Sequence, residues 1–511
     1  MNQANRVAKN SMILYGQMIL TMVLSLYTTR LVLAALGTKD FGVFNVVGGA
    51  IAMLMFLSAA MTAASQRFMS FSSGQGDMVK QKQIFNTSLK MHLTIAAIMV
   101  FLFEILGLFL FDYVLNIDVE RLEAAKVVYQ CLVLSTFFTI IMVPYDAVIN
   151  ARENMLFFAI VRIVEILLKF SIALFITYSA LDKLILYGIL MAIVPIVLLA
   201  IKFIYTTKFY EEVCVDFKKY KEKALFKEMF SFAGWSFLGS TTGMITNYGQ
   251  NIVVNMFFGT RVNAAQGVSN QVSGQLGSFA NIMLRALNPV LAKSEGAGNR
   301  ELLLKASMIG SKFSFYLLVV FFVPMLIEMP YVFELWLEEV PEYAIVFCKL
   351  LLVRNLVNQL FVTINSSIAA VGDIKSFQII SSVINFLPLI ISYILFKLSY
   401  PPQMMYWVFI AHAFINGCIV LYFANIKCKL KILTFFNNVL LPCVLVFVFN
   451  YLLASIPSFF LKSGVLRIMI TGLLSLILFA LLVWTIGLQR NEKDMILKII
   501  SKLKIKLKFI K

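Results

Sequence analysis

Fourteen apolar blocks of membrane-spanning length follow one another along this chain, and nothing constrains its fold more. They lie at about 11–36, 41–63, 91–111, 127–148, 156–180, 184–201, 230–258, 263–291, 306–329, 344–366, 377–396, 403–425, 435–455 and 466–487. A bilayer core of ~30 Å is crossed by ~20 helical residues. Inside it the backbone N–H and C=O groups must be satisfied within the segment, which a helix does. The chain therefore reads as an all-α polytopic membrane protein. Composition agrees: 60% of the 511 residues are hydrophobic and 14% are charged, a balance foreign to soluble domains of this size. The first block is too long for a signal-peptide core and is kept as a span.

The cations set the topology. With the N-terminus placed in the cytoplasm, the inside segments hold 29 Lys and Arg residues and the outside segments hold 8. That bias follows the positive-inside rule and puts both termini in the cytoplasm. The net charge of +18 is accounted for in the same way, with anionic lipid as the counterpart, so no nucleic-acid partner is expected. A basic loop at 208–229 divides the chain into six spans (1–207) and eight. The eight comprise a second set of six (230–425) and two more (426–487), before a basic cytoplasmic tail at 488–511 suited to membrane lipid.

The two sets of six look like copies. Gly37-Thr38 matches Gly259-Thr260, Val46 matches Val268, Gly74-Gln75-Gly76-Asp77 matches Gly296-Ala297-Gly298-Asn299, and Lys90 matches Lys312, all 222 residues apart. An offset of six spans preserves orientation. The halves are then parallel bundles about an axis along the membrane normal, an arrangement in which transporters often place substrate centrally.

Two spans are unlike the rest because they carry amides and hydroxyls throughout. At about 100° per residue, Asn263, Gln266, Asn270, Gly274, Gly277, Asn281, Arg285 and Asn288 share one helical face. In the preceding span Ser236, Ser240, Gly243, Asn247, Gln250 and Asn251 do the same. The first of these faces rises roughly 38 Å at ~1.5 Å per residue. Such a stripe cannot face lipid, where each unsatisfied group costs several kcal/mol. It must line a wet cavity or bond to neighbouring helices; the cavity is the expectation. The second span adds its own face of small and polar residues, Asn45, Gly49, Ala52, Ala59, Ala63 and Gln66.

Seven cations fall within spans: Arg30, Arg162, Lys169, Arg285, Lys312, Lys349 and Arg354. Each costs ~2.5–3.5 kcal/mol near a helix centre. Lys312 and Lys349 lie near span ends and are expected to snorkel. Arg162, Glu165 and Lys169, at i, i+3 and i+7, let one acid bridge two cations. That triad keeps a net positive charge, and Asp146 is expected to join the same charge network. Arg285 lies on the polar stripe, and Arg354 lies deep, one turn from Asn358. This balance suits an anionic solute, with guanidinium geometry matching phosphate oxygens. Expected substrate contacts are Arg285, Asn281, Asn270, Asn247, Gln250, Asn251, Gln266, Arg354, Arg30 and Asn45.

The segment Phe333-Glu334-Leu335-Trp336-Leu337-Glu338-Glu339-Val340-Pro341-Glu342-Tyr343-Ala344 resembles the outer loop after the ninth span in polysaccharide transporters of the Wzx type. So do the first-span ending Arg30 to Gly37 and the following Asp40-Phe41-Gly42. The resemblance covers nearly the whole chain. It implies the MATE-like fold of the multidrug/oligosaccharidyl-lipid/polysaccharide exporter superfamily: two six-helix bundles and two extra C-terminal helices. It also implies flipping of an undecaprenyl-pyrophosphate-linked oligosaccharide across the inner membrane, by alternating access, for O-antigen or capsule assembly.

Other readings stay open. A cation-coupled drug exporter of the same superfamily, with H+ or Na+ as coupling ion, is the first, although residues 11–36 hold none of the acids such exporters often use. A lipid II flippase is the second. A membrane polysaccharide polymerase is disfavoured by short outer loops and by the absence of nucleotide, metal or nucleophile motifs. His92 and His412 have no neighbouring carboxylate in sequence. The six cysteines show no ligand spacing. No cofactor, metal or catalytic activity is expected, and a monomer is.

Overall fold

The computed structural model describes residues 3–52, 56–111, 117, 119–337, 340–494 and 497. The basic tail beyond Asp494, Leu497 apart, and Glu338 and Glu339 of the outer loop lie outside the described residues. The elements are α1 (Gln3–Ala52), α2 (Phe56–Gln75), α3 (Met78–Phe109), α4 (Val119–Ile141), α5 (Val143–Ala151), α6 (Met155–Tyr178), α7 (Lys183–Phe209) and α8 (Lys223–Gly296). They continue as α9 (Arg300–Trp336), α10 (Ala344–Val371), α11 (Lys375–Lys397), α12 (Met404–Cys428), α13 (Ile432–Phe435), α14 (Leu441–Ala454), α15 (Pro457–Phe460) and α16 (Val465–Leu482).

Ten helices among the described residues are long and apolar enough to cross a membrane, so this is a multi-pass membrane protein. The other expected spans are helical as well where described: the one at 41–63 is shared by α1 and α2, with residues 53–55 outside the described residues, and polar residues set the other three apart. Helix α6 carries Arg162, Glu165 and Lys169, and α8 carries the amides and hydroxyls of both its halves.

Two long helices are each broken at one glycine. Gly37 in α1 has φ 75° and ψ 171°, and Gly259 in α8 has φ 74° and ψ −173°. No L side chain adopts such a φ easily, so the chain turns at these points and each break separates two spans. The glycines stand 222 residues apart, and so do Gly76 (φ 75°) and Gly298 (φ 71°), which sit at the ends of α2 and α8. The helix after each restarts in the same way. Asp77 accepts from the Lys80 N–H at 3.0 Å, and Asn299 accepts from the Leu302 N–H at 3.0 Å, side-chain caps of the usual kind. The repeat seen in the residues is thus also a repeat of backbone states.

The chain divides into two compact units. One comprises Lys9–Ser240 with Ala292–Gly298; the other comprises Thr241–Leu291 and Asn299–Lys511 with Met1–Ala8. In the first, Phe103, Val128, Tyr129, Ile140 and Leu184 make the core. Arg121 donates to Asp40 at 2.8 Å and to Asp182 at 2.6 Å, tying the start of α4 to the turn after Gly37 and to the α6–α7 loop. At the other end of this unit the segment after α7 is pinned. Asn86 donates to the Cys214 carbonyl at 2.6 Å and accepts from the Asp216 N–H at 2.9 Å. Arg152 forks onto the buried Glu212 through two 2.7 Å bonds, and this partner holds the guanidinium above its ordinary pKa.

The same unit contains a glycine contact that no side chain can share. A Cβ on Gly74 would overlap the Lys293 carbonyl, and one on Gly296 would overlap the Phe71 carbonyl. Backbone cannot step aside as a flexible side chain can. Gly74→Ala is expected to destabilise this unit by about 1–3 kcal/mol, the usual cost of overpacking. A lowered unfolding temperature of the purified variant in detergent would show it; an unchanged temperature would mean that the helix ends separate freely.

In the second unit Phe322, Phe333, Phe347, Tyr406 and Phe409 anchor the core. Two buried ion pairs fasten its C-terminal helices to α9. Glu328 accepts from Arg467 at 2.8–3.1 Å and from Thr471 Oγ1 at 2.9 Å. Lys312, expected to snorkel, instead lies 1% exposed and donates to Glu492 at 2.8 and 3.0 Å. Burial behind the segment that follows α16 denies it an outlet, so a carboxylate replaces water.

Candidate functional site

In the second unit, the part of α8 before Gly259 meets the part after it and α10 around a polar cavity. Asn247, Tyr248, Gln250, Asn251, Asn270 and Arg354 line it, and its volume is about 200 Å³. The helical arithmetic explains why these residues converge. Asn247, Gln250 and Asn251 share one face at i, i+3 and i+4. The break at Gly259 returns the chain so that Asn270 looks back onto that face. Helix α10 then brings Arg354, eleven residues in from Tyr343 at its start.

Arg354 is the one charge in this lining, and among the described residues no carboxylate pairs with it. Its guanidinium stands over the Phe409 ring at 4.5 Å, and His412 on the same helix as Phe409 touches that ring edge to face. A cation–π contact contributes ~0.5–2 kcal/mol, less than the ~2.5–3.5 kcal/mol that an arginine costs at a helix centre. The cavity therefore holds an unneutralised positive charge ringed by amides that both donate and accept. Such a lining suits an anion with hydroxylated neighbours.

The rest of the polar stripe is distributed differently. Gln266 is fully buried, and among the described residues neither amide atom has a hydrogen-bond partner. Ser269 donates to the Ala344 carbonyl at 3.0 Å, and Ser273 accepts from Asn355 at 2.7 Å. That part of the face is therefore joined to α10. Arg285 is exposed, engages a neighbour and is not in the cavity lining. The side chain of Asn281 lies outside the described residues. Tyr248 is a lining residue that the sequence argument missed, because an aromatic at that position reads as lipid-facing.

The remaining expected residues belong to the first unit. Arg30 is exposed on α1, and Asn45 donates to the Phe41 carbonyl at 2.9 Å on its own helix. Glu165 accepts from Arg162 at 2.9 Å and from Lys169 at 2.7 Å. Asp146 takes a different partner, Lys202 at 2.6 Å, with the lysine 5% exposed. His92 bonds the Ser88 carbonyl through Nδ1 at 2.8 Å. Among the described residues no group of His, Cys, Asp and Glu has the arrangement of a metal site.

No family model matches the chain, and no curated protein matches it. Solved structures do. A crystal structure of MATE in complex with MaD3S is 13% identical, covers 84% of this chain and 98% of its own, and has a TM-score of 0.72. An outward-facing multidrug resistance MATE family transporter of the MOP superfamily is 13% identical over 84% and 96%, with a TM-score of 0.69. A MOP superfamily transporter from Pyrococcus furiosus Vc1, described as having a binding pocket of reverse polarity that suggests a different function, is 12% identical over 84% and 96%, with a TM-score of 0.67. The fold is MATE-like.

Proposed function

We propose that the protein carries an undecaprenyl-pyrophosphate-linked oligosaccharide across the bacterial inner membrane, both termini in the cytoplasm, for O-antigen or capsule assembly. The observation that carries this reading is Arg354, a cation with no carboxylate partner among the described residues, in an amide-lined cavity. A phosphate oxygen pair matches its planar fork, and sugar hydroxyls match the amides of Asn247, Gln250, Asn251 and Asn270. The cavity, about 200 Å³, is smaller than the ~300–1,000 Å³ usual for drug-sized ligands. It has room for a phosphate group with part of a sugar, while the polyprenyl chain stays in lipid. The resemblance of the Phe333–Ala344 loop to Wzx-type transporters supports the same cargo.

A cation-coupled multidrug exporter is the second reading, favoured by the multidrug MATE structures that share the fold. The lining weighs against it, because Arg354 repels cationic drugs. The Pyrococcus furiosus transporter shows that pocket polarity has been taken as a sign of changed function on this fold. Deleting the gene in the native host is expected to remove surface glycan and to leave its lipid-linked repeat unit trapped on the cytoplasmic face. Intact surface glycan with new sensitivity to cationic dyes would replace this reading with the second.

A further inference from the structure

The stretch from the last residues of α7 through the connecting loop to the first turns of α8 presents two chemistries on its outside. Lys208, Lys218, Lys219, Lys221, Lys223 and Lys227 are all exposed, and among the described residues none pairs with a carboxylate. Between them Phe209 is 61% exposed, Phe217 41%, Phe226 39% and Phe230 59%. Phe226 and Phe230 stack in parallel, 6.1 Å apart. A segment evolved only to be solvated has no use for four open phenyl rings. Of the five acids in the segment, Glu212 is buried against Arg152 and Asp216 caps the Lys218 and Lys219 N–H groups at 3.1 and 2.9 Å; Glu211, Glu222 and Glu228 are exposed, so the six lysines outnumber the exposed carboxylates two to one. The anchors at Asn86 and Arg152 hold this surface in one shape.

We propose that residues 208–230 form a docking plate for acidic phospholipid, the lysines meeting headgroup phosphates and the phenyl rings entering the upper acyl region. Helix α7 ends at Phe209 and α8 begins at Lys223, so the plate lies where two spans leave the bilayer. Lysine near an acidic surface attracts it electrostatically, and aromatic rings favour the interface. Membrane is the one partner offering an apolar layer directly beneath a layer of negative charge.

The full-length protein is reconstituted in phosphatidylcholine vesicles with trace spin-labelled phosphatidylglycerol or spin-labelled phosphatidylcholine. The wild type is expected to prefer the acidic lipid by about fivefold, roughly the worth of one lysine at such a surface. High salt erodes this preference. The K218Q/K219Q/K221Q/K223Q variant loses most of it, whereas Phe217→Ser with Phe230→Ser weakens association of both lipids and keeps the ratio. A wild-type ratio near one, or one unmoved by salt, overturns the proposal without any variant. So does a ratio kept by the four-lysine variant and lost by Arg354→Met, which places the lipid in the cavity instead.

Discussion

Arg354→Met is expected to abolish surface glycan in the native host while the protein still reaches the membrane. Each charge-assisted hydrogen bond to the guanidinium contributes about 1.5–3 kcal/mol. Losing one lowers cargo affinity roughly 10- to 100-fold, and a forked contact loses two. The same substitution is expected to raise thermal stability. Among the described residues no carboxylate is left unpaired when Arg354 goes; its contact with the Phe409 ring is lost, and a desolvated charge is removed. Function lost with stability gained is the signature of a residue kept for binding. Arg354→Lys keeps the charge without the fork and is expected to fall between. Arg285, exposed and outside the cavity lining, is expected to matter less. Normal glycan export in Arg354→Met would remove the cavity from the mechanism. Loss of both stability and export would make Arg354 a structural residue.

Glu328→Ala is expected to do the reverse: to unfold rather than to disarm. The carboxylate is 1% exposed as a residue and holds Arg467 and Thr471. Removing it leaves a guanidinium with an 11% exposed side chain and, among the described residues, no other acid paired with it, at a cost of about 3–5 kcal/mol. The double change Glu328→Leu with Arg467→Met removes both charges and is expected to restore most of that stability, because apolar replacement of a buried pair is often neutral or favourable. Unfolding temperatures of the three proteins in one detergent measure this directly. If the single and double variants were equally unstable, packing around α16 rather than charge would be responsible. The two arginines thus give opposite outcomes for one reason: among the described residues Arg467 has a carboxylate partner and Arg354 has none.

Much of this was legible in the residues. Apolar runs place the helices because the bilayer admits little else. Gly37 and Gly259 mark the breaks, since matched glycines between apolar blocks imply a conformation other residues avoid. Asn247, Gln250, Asn251 and Asn270 stand out because amides at helical spacing are rare in lipid, and Arg354 because it is deep. Partners across the fold were not legible. Glu328 lies 139 residues from Arg467, and Lys312 lies 180 from Glu492; each looks like an isolated end charge until the helices are packed. The long stripe on α8 misled for a related reason. Periodicity reports which residues share a face, but not that α10 brings Asn355 to bond Ser273 while Gln266 turns into the core.

The 222-residue interval that pairs Gly37 with Gly259 also pairs the cavity lining with positions in the first unit. Asn247, Gln250 and Asn251 correspond to Ser25, Thr28 and Thr29; Asn270 corresponds to Gly48, and Arg354 to Leu132. The counterparts are short or apolar, and the two threonines spend their hydroxyls on the Leu24 and Ser25 carbonyls of their own helix. Twin scaffolds have therefore been furnished unequally. At these five positions the amides and the charge belong to one copy of the repeat alone.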